Sequence, residues 1–203
     1  MATILKNFWV LEGLDGSGTT TQLRKLEEFF RERKIKCLIT QEPTGLETGL
    51  LLRNVLSGKI NASQSTIAYL FAADRDNHLN NKECGILSAL DENKITVSDR
   101  YLFSSLAYQS IGFDYEKVKK INSDFPLPEH IIYIDTPPED CMKRIDARGK
   151  TKEIFEKISY QRQIRENYER CFSELPAGCK LTRINGNLSI DEIFLNIRKA
   201  LCL

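Results

Sequence analysis

The densest chemical signal in this chain is the run Gly13-Leu14-Asp15-Gly16-Ser17-Gly18-Thr19-Thr20. It fits the GxxxxGK(S/T) spacing of a phosphate-cradling loop at every constrained position but one, because Thr19 stands where the pattern has lysine. Glycines at these positions let consecutive backbone N–H groups converge on phosphate oxygens at the positive end of a helix. Thr20 falls where a hydroxyl ligand for Mg²⁺ is expected, and Thr21 lies one step further along. The competing reading is a structural strand-to-helix turn. The segment alone does not choose between them, since the missing ammonium group is the one that follows the β and γ phosphates through transfer.

A loop of this kind needs a strand before it and a helix after it. Phe8 to Leu11 is a β-prone apolar run, and from Gln22 to Arg33 the residues Leu23, Leu26, Phe29 and Phe30 recur at helical spacing. Four further short β-rich runs occupy Lys36–Thr40, Lys94–Ser98, His130–Asp135 and Leu181–Asn185. Helical patterns separate them at Leu46–Leu56, Ala62–Glu92, Leu102–Gln109, Tyr115–Asn122, Pro138–Arg148, Lys152–Glu174 and Ser189–Leu201. This alternation predicts an α/β fold, a doubly wound five-stranded parallel sheet with helices on both faces, within a single domain. Ligands of such sheets collect beyond the carboxyl ends of the strands, which places the glycine loop, Gln41–Gly45, Asp99–Tyr101, Asp135–Pro137 and Asn185–Asn187 along one edge.

Composition excludes several classes. With 29 basic and 28 acidic residues the net charge is +1, without the clustered basic excess of a general nucleic-acid surface. The six cysteines show no CxxC pair or zinc-ligand spacing, and only two histidines accompany them, which argues for reduced thiols and against a zinc site. No stretch approaches the roughly 18 consecutive apolar residues of a membrane span, and the first residues run directly into a strand pattern without a signal-peptide layout. A cytoplasmic protein is expected.

Five separated segments, EGLDGSGTTTQ (Glu12–Gln22), EPTGLETGLLLR (Glu42–Arg53), LFAADRDNH (Leu70–His78), DRYLFSSLAYQ (Asp99–Gln109) and IDTPPEDCMKRIDARG (Ile134–Gly149), occur in an order that resembles thymidylate kinases. These are P-loop nucleoside monophosphate kinases, and the likeness runs from Val10 to about Ile197. It implies transfer of the γ-phosphoryl group of ATP, as the Mg²⁺ complex, to the 5′-monophosphate of thymidine (dTMP), and a homodimer.

The resemblance implies specific roles. The loop residues Gly13, Asp15, Gly16, Ser17, Gly18, Thr19, Thr20 and Thr21 would hold ATP, with Thr20 and Asp99 serving the metal. Arg100 resembles the guanidinium that grips the acceptor phosphate, a task for which a planar fork suits better than an ammonium. Arg53 resembles a further arginine near that phosphate, and Asp15 a carboxylate touching the acceptor sugar. Phe71 and Arg75, four apart on one helical face, would sandwich and hydrogen-bond thymine, although an aromatic at helical spacing is ordinarily core. Ser104, Ser105 and Gln109 fall near the base, and Tyr108 resembles the tyrosine that crowds the 2′ position of the sugar.

Arg144 and Arg148 fall where the family's lid begins, a segment around residues 144–157, and a lid arginine can stabilise charge on the transferring phosphoryl group. Lys150, Lys152 and Lys157 read more simply as a solvated face. Because the loop carries no basic residue between Gly13 and Gln22, a working enzyme would depend on the lid for its cation. The alternatives are a nucleotide-binding relative with little or no turnover and a kinase for another deoxynucleoside monophosphate.

Overall fold

A computed structural model describes residues 3–146 and 154–203. Five strands, β1 (Ile4–Gly13), β2 (Cys37–Gln41), β3 (Ile95–Asp99), β4 (Leu127–Asp135) and β5 (Lys180–Asn185), form one parallel sheet in the order β2-β3-β1-β4-β5. The order reverses direction about β1, so the turn after β1 opens at the switch point where doubly wound sheets bind ligands.

The central strands are buried on both faces, and their alternation feeds two separate cores. Phe8 and Val10 of β1 and Ile131 and Tyr133 of β4 join one cluster, while Trp9, Leu11, Ile132 and Ile134 join the other. Helices α1 (Thr19–Glu32) and α9 (Ile190–Ala200) close the second cluster through Leu23, Leu26, Phe30, Ile193 and Ile197. The first is closed chiefly by α5 (Leu102–Tyr108) and α8 (Ile154–Ser173), through Phe103, Leu106, Ile164, Tyr168 and Phe172. Burial of one large apolar side chain contributes on the order of 1.5–3 kcal/mol, so each layer is held to the sheet mainly by its apolar stripe.

The remaining helices are α2 (Glu47–Leu56), α3 (Gln64–Asn80), α4 (Ile86–Asp91), α6 (Tyr115–Ile121) and α7 (Pro138–Asp146). The expected continuous helix over Ala62–Glu92 is therefore two helices. Asn81 leaves the helical region, its Oδ1 accepts bonds from the N–H groups of Glu83 and Cys84, and a Cβ at Gly85 would meet the Asn81 carbonyl at 2.3 Å. The pattern Asn-Asn-Lys-Glu reads as a polar helix surface, whereas its asparagine side chain terminates the helix. The strand patterns after β1 hold to within a residue or two, except that β4 starts at Leu127, earlier than the His130 expected; β1 likewise starts at Ile4, earlier than Phe8. Among the described residues no helix is long and apolar enough to cross a membrane.

Candidate active site

Two cavities open at the carboxyl edge of the sheet. One, of about 800 Å³, is lined by the loop Leu14–Gln22, by Arg144 and Ile145 of α7, and by the turn from Gly186 into α9. The other, of about 470 Å³, lies between α2, α3, α5 and α8, with Phe71, Arg75, Ser104, Tyr108 and Gln109 in its wall. Asp15 and Arg100 line both.

The loop has the geometry that its glycines predict. Gly18 is the N-cap of α1, and Gly16 (φ 87°) passes so close to α7 that a Cβ would meet the Cys141 carbonyl at 2.6 Å. A side chain at Gly16 would thus be excluded twice, by backbone angle and by space. Thr19 is the first residue of α1 and is buried; Thr20 and Thr21 are exposed. Arg144 braces the loop from α7: Nη1 donates to the carbonyls of Gly16 (3.4 Å) and Ser17 (3.2 Å), and Nη2 to the carbonyl of Gly186 (2.8 Å) and to Asn187 Oδ1 (3.3 Å). It ties the loop to the turn after β5. Arg148 lies outside the described residues, as does half of the expected lid, residues 147–153.

Thr20 Oγ1 donates to Asp99 Oδ2 at 2.7 Å, and Asp99 Oδ1 is buried without a partner. A hydroxyl and a carboxylate joined at the strand end, with one oxygen unsatisfied, form a donor set of the kind hard cations take. No group of three or more His, Cys, Asp or Glu side chains among the described residues could hold a metal by itself. Such a pair suits a Mg²⁺ ion that arrives with phosphates and keeps most of its ligands from them and from water.

Arg100 is the pivot between the cavities. It follows β3 with φ 72°, a left-handed conformation unusual for a side chain of its size, held by its N–H donating to the Leu11 carbonyl at 2.9 Å. Nη2 donates to Asp15 Oδ1 (2.6 Å) and Nη1 to Ser104 Oγ (3.0 Å), while the guanidinium carbon stands 4.8 Å from the centre of the Tyr108 ring. Burial opposes its charge, yet Tyr108, Tyr168, Asp15 and Glu12 around it hold its pKa well above the ordinary value. Tyr108 OH also donates to Asp15 Oδ1, at 3.1 Å. Burial pushes that phenol's pKa upward, so it stays a donor.

Phe71 and Arg75 face the same cavity, as their spacing predicts. Arg75 is held from behind: Nη2 donates to Glu42 Oε2 (2.6 Å) and Ser105 Oγ (3.0 Å), Nη1 donates to Asn122 Oδ1, and Nε is buried without a partner. Its guanidinium also lies against the rings of Tyr101 and Phe125. Two expected residues are placed otherwise. Ser105 is buried behind Arg75 and does not line the cavity; Arg53 is also absent from the wall, its guanidinium held by the carbonyls of Pro43 and Thr44. A single step along α5, about 100° of helix rotation, takes Ser105 off the face that carries Ser104 and Tyr108, and the carbonyls after β2 are near enough to capture Arg53.

Several site residues escaped the sequence reading. Asn122, the wall residue Tyr160 and Glu12 are three, and Glu42, within the Gln41–Gly45 segment expected at the ligand edge, had no role assigned to it. Glu12 ends the apolar run Phe-Trp-Val-Leu-Glu and is fully buried, and an acid closing a buried strand was the available signal. Its carboxylate accepts from Tyr101 N (2.9 Å), Ser104 N (3.3 Å), Ser104 Oγ (2.6 Å) and Tyr168 OH (2.8 Å). Burial pushes its pKa up to about 7, against the lowering effect of Ser104, Arg100, Tyr168 and the Tyr101 N–H.

The family model for thymidylate kinase matches residues 11–197. The chain is 47% identical over 193 residues to a protein of Treponema pallidum (strain Nichols) named "Putative thymidylate kinase", covering 94% of this chain and 92% of that one. It is 38% identical over 196 residues to a "Probable thymidylate kinase" of Pyrococcus horikoshii (94% and 93%), and 31% identical over 202 residues to a "Thymidylate kinase" of Clostridium novyi (strain NT; 94% and 96%). With glycine loop, Asp99-Arg100 turn and Phe71–Arg75 face at one sheet edge, and with this match over nearly its whole length, the chain belongs to the thymidylate kinase family.

Proposed function

We propose that the protein transfers the γ-phosphoryl group of ATP to the 5′-phosphate of dTMP, giving dTDP and ADP. The observation that carries this reading is the shared wall: Asp15 and Arg100 line both cavities, so a polyphosphate on the glycine loop and a monophosphate in the second cavity would meet beside one guanidinium. The acceptor oxygen of dTMP is already an anion near neutral pH, so no general base is needed. It attacks the γ-phosphorus, the bond to the β,γ-bridging oxygen breaks, and ADP leaves. Catalysis is then positioning and electrostatics.

In this reading Gly13, Gly16, Ser17, Gly18, Thr19, Thr20 and Thr21 cradle ATP, and Thr20 and Asp99 hold Mg²⁺. Mg²⁺ supplies neutralisation of charge on the phosphate oxygens. Arg100 grips the acceptor phosphate, and Asp15, now its ion-pair partner, orients it and reaches the sugar. Phe71, Arg75, Ser104 and Gln109 surround the base, with Ser105 acting through Arg75 and Tyr108 crowding the 2′ position. Arg53 would have to leave its carbonyl partners to approach the acceptor phosphate.

Among the described residues that line the donor cavity there is no lysine, and the positive charges are Arg100 and Arg144. Arg144 is divided among four oxygens of the loop and of the turn after β5. We assign the substitute for the absent loop lysine to Arg148, which lies outside the described residues, on the family resemblance of its position at the start of the lid. A coupled ADP-release assay with dTMP and MgATP tests the reaction. Background turnover, with calorimetric dTMP binding intact, would leave a binding protein, and an acceptor panel in which dTMP ranks low would reassign the substrate.

A homodimer is the assembly we propose, because Leu50 and Leu51 of α2 and Tyr69 of α3 expose apolar surface on neighbouring helices. Sedimentation equilibrium giving the monomer mass at micromolar concentration would refute it. The work is placed in the cytoplasm, where ATP and reduced thiols are maintained.

A further inference from the structure

We propose that Glu12 is a positioning residue for the acceptor phosphate: its buried carboxylate fixes the hydroxyl of Ser104 so that Ser104 presents a lone pair to Arg100. The proposal rests on the reading of Arg100 as the acceptor-phosphate grip. Its basis is a continuous chain of hydrogen bonds. Ser104 Oγ donates to Glu12 Oε2 at 2.6 Å and accepts from Arg100 Nη1 at 3.0 Å, while Arg100 Nη2 reaches Asp15 at 2.6 Å. A serine hydroxyl has one proton and two lone pairs. When Glu12 is ionised, the proton points to Glu12 and a lone pair is left for the guanidinium. When Glu12 is protonated, the carboxylate no longer holds the Ser104 proton, which can turn to Tyr168 OH at 2.9 Å, and Ser104 loses that fixed polarity.

The surroundings leave Glu12 as the group able to switch this chain. The loop after β3 presents Arg100 and the Tyr101 N–H, α5 presents Ser104 and, beyond Arg100, Tyr108, and α8 presents Tyr168 with Cys171 one turn further. From β4 the neighbour is Tyr133, in register with Glu12, and from the glycine loop it is Asp15. Burial holds the pKa of the three phenols and of Cys171 above the ordinary range, so they remain neutral, and Arg100 remains charged. Glu12 itself ionises near neutral pH, with its pKa at about 7. Ionisation therefore switches on the oriented grip, and acidification releases it.

The test compares wild type, Glu12→Gln, Ser104→Ala and Arg100→Ala in kcat and KM for dTMP and MgATP from acid to alkaline pH. Calorimetric affinities for dTMP and thymidine accompany the kinetics, thymidine serving as the probe without a phosphate. For wild type, kcat/KM for dTMP should fall on acidification with a break near the Glu12 value, above the second ionisation of a phosphate monoester at about 6. Glu12→Gln should erase that upper break and raise KM for dTMP about tenfold at alkaline pH, leaving KM for MgATP and thymidine affinity within about twofold. A merely structural Glu12 would instead change all of these together.

Retention of the break, an unchanged KM for dTMP, or tighter dTMP binding in Glu12→Gln would overturn the proposal. Should Glu12→Gln fail to fold, Ser104→Ala decides, because it cuts the same chain and should erase most of the preference for dTMP over thymidine. Arg100→Ala separates the grip from its positioning. If that variant keeps the preference for dTMP, the grip reading itself fails; if it loses the preference while the Glu12 and Ser104 variants keep theirs, only the positioning role of Glu12 fails.

Discussion

Asp15 Oδ1 accepts a 2.6 Å bond from Arg100 Nη2, which joins the glycine loop after β1 to the turn after β3 across the boundary of the two cavities. Because the Asp15 side chain is 58% exposed, the pair is worth little as a stabilising salt bridge. Its importance is geometric, for a carboxylate already occupies the guanidinium edge that faces both cavities.

Arg100→Lys should raise KM for dTMP by about 10- to 100-fold, the loss of one charge-assisted bond, while the fold is retained. An ammonium group cannot keep the planar fork that spans Asp15 and Ser104 at once. Steady-state kinetics and the thermal midpoint check this, and a KM within twofold of wild type would contradict the role of the fork.

Arg148→Ala should lower turnover at least tenfold with dTMP affinity nearly unchanged, because its proposed partner is the transferring phosphoryl group. Thr19→Lys should then restore most of that loss in the double variant and do much less in wild type. Independent, additive effects of the two substitutions would show that they do not supply the same charge.

Asp99→Asn should shift the Mg²⁺ activation curve to concentrations at least tenfold higher, since the orphaned Oδ1 and the Thr20 bond both belong to this carboxylate. Removal of Mg²⁺ with EDTA should abolish turnover in every variant and be reversed by adding it back. An unaltered Mg²⁺ dependence in Asp99→Asn would leave Asp99 as a brace for Thr20 alone.

His130 pairs with Thr182 across β4 and β5, and burial, helped by Lys180, pushes its pKa down to about 4. The unfolded chain therefore binds the extra proton between the ordinary value of 6.5 and about 4, so folded stability contributed by this group is full above 6.5 and is lost as pH falls through that window. The loss is at most about 3 kcal/mol from this group. Urea unfolding of wild type and His130→Gln at neutral and acid pH should show the gap between them narrowing on acidification. A constant gap would mean that His130 titrates normally.

Sequence legibility followed chain distance. The five strands, the loop and the shared face of Phe71 and Arg75 rest on periodicity and spacing, which are local, and they were readable. The start of β1 was not, because the exposed Lys6 and Asn7 break the apolar run, at the point where Asn7 takes φ 59° and the register shifts between Leu5 and Trp9. Tyr168 reaches Glu12 over 156 residues, and Asn122 reaches Arg75 over 47, so neither partnership leaves a trace in any short window. The partners of Arg53 were unreadable for a related reason: spacing gives the helix face, but which carbonyls compete for a long side chain is decided by the packing of the loop after β2.

The left-handed backbone at Arg100 also bears on evolvability. A position that glycine or asparagine would occupy at little or no steric cost carries a bulky side chain, at a penalty of roughly 1 kcal/mol. Arg100→Gly would relieve that strain, but it would also strip Asp15, Ser104 and Tyr108 of the guanidinium and enlarge the freedom of the unfolded chain. Position 100 is thus a site where relief of backbone strain would come only with loss of the link between the two cavities.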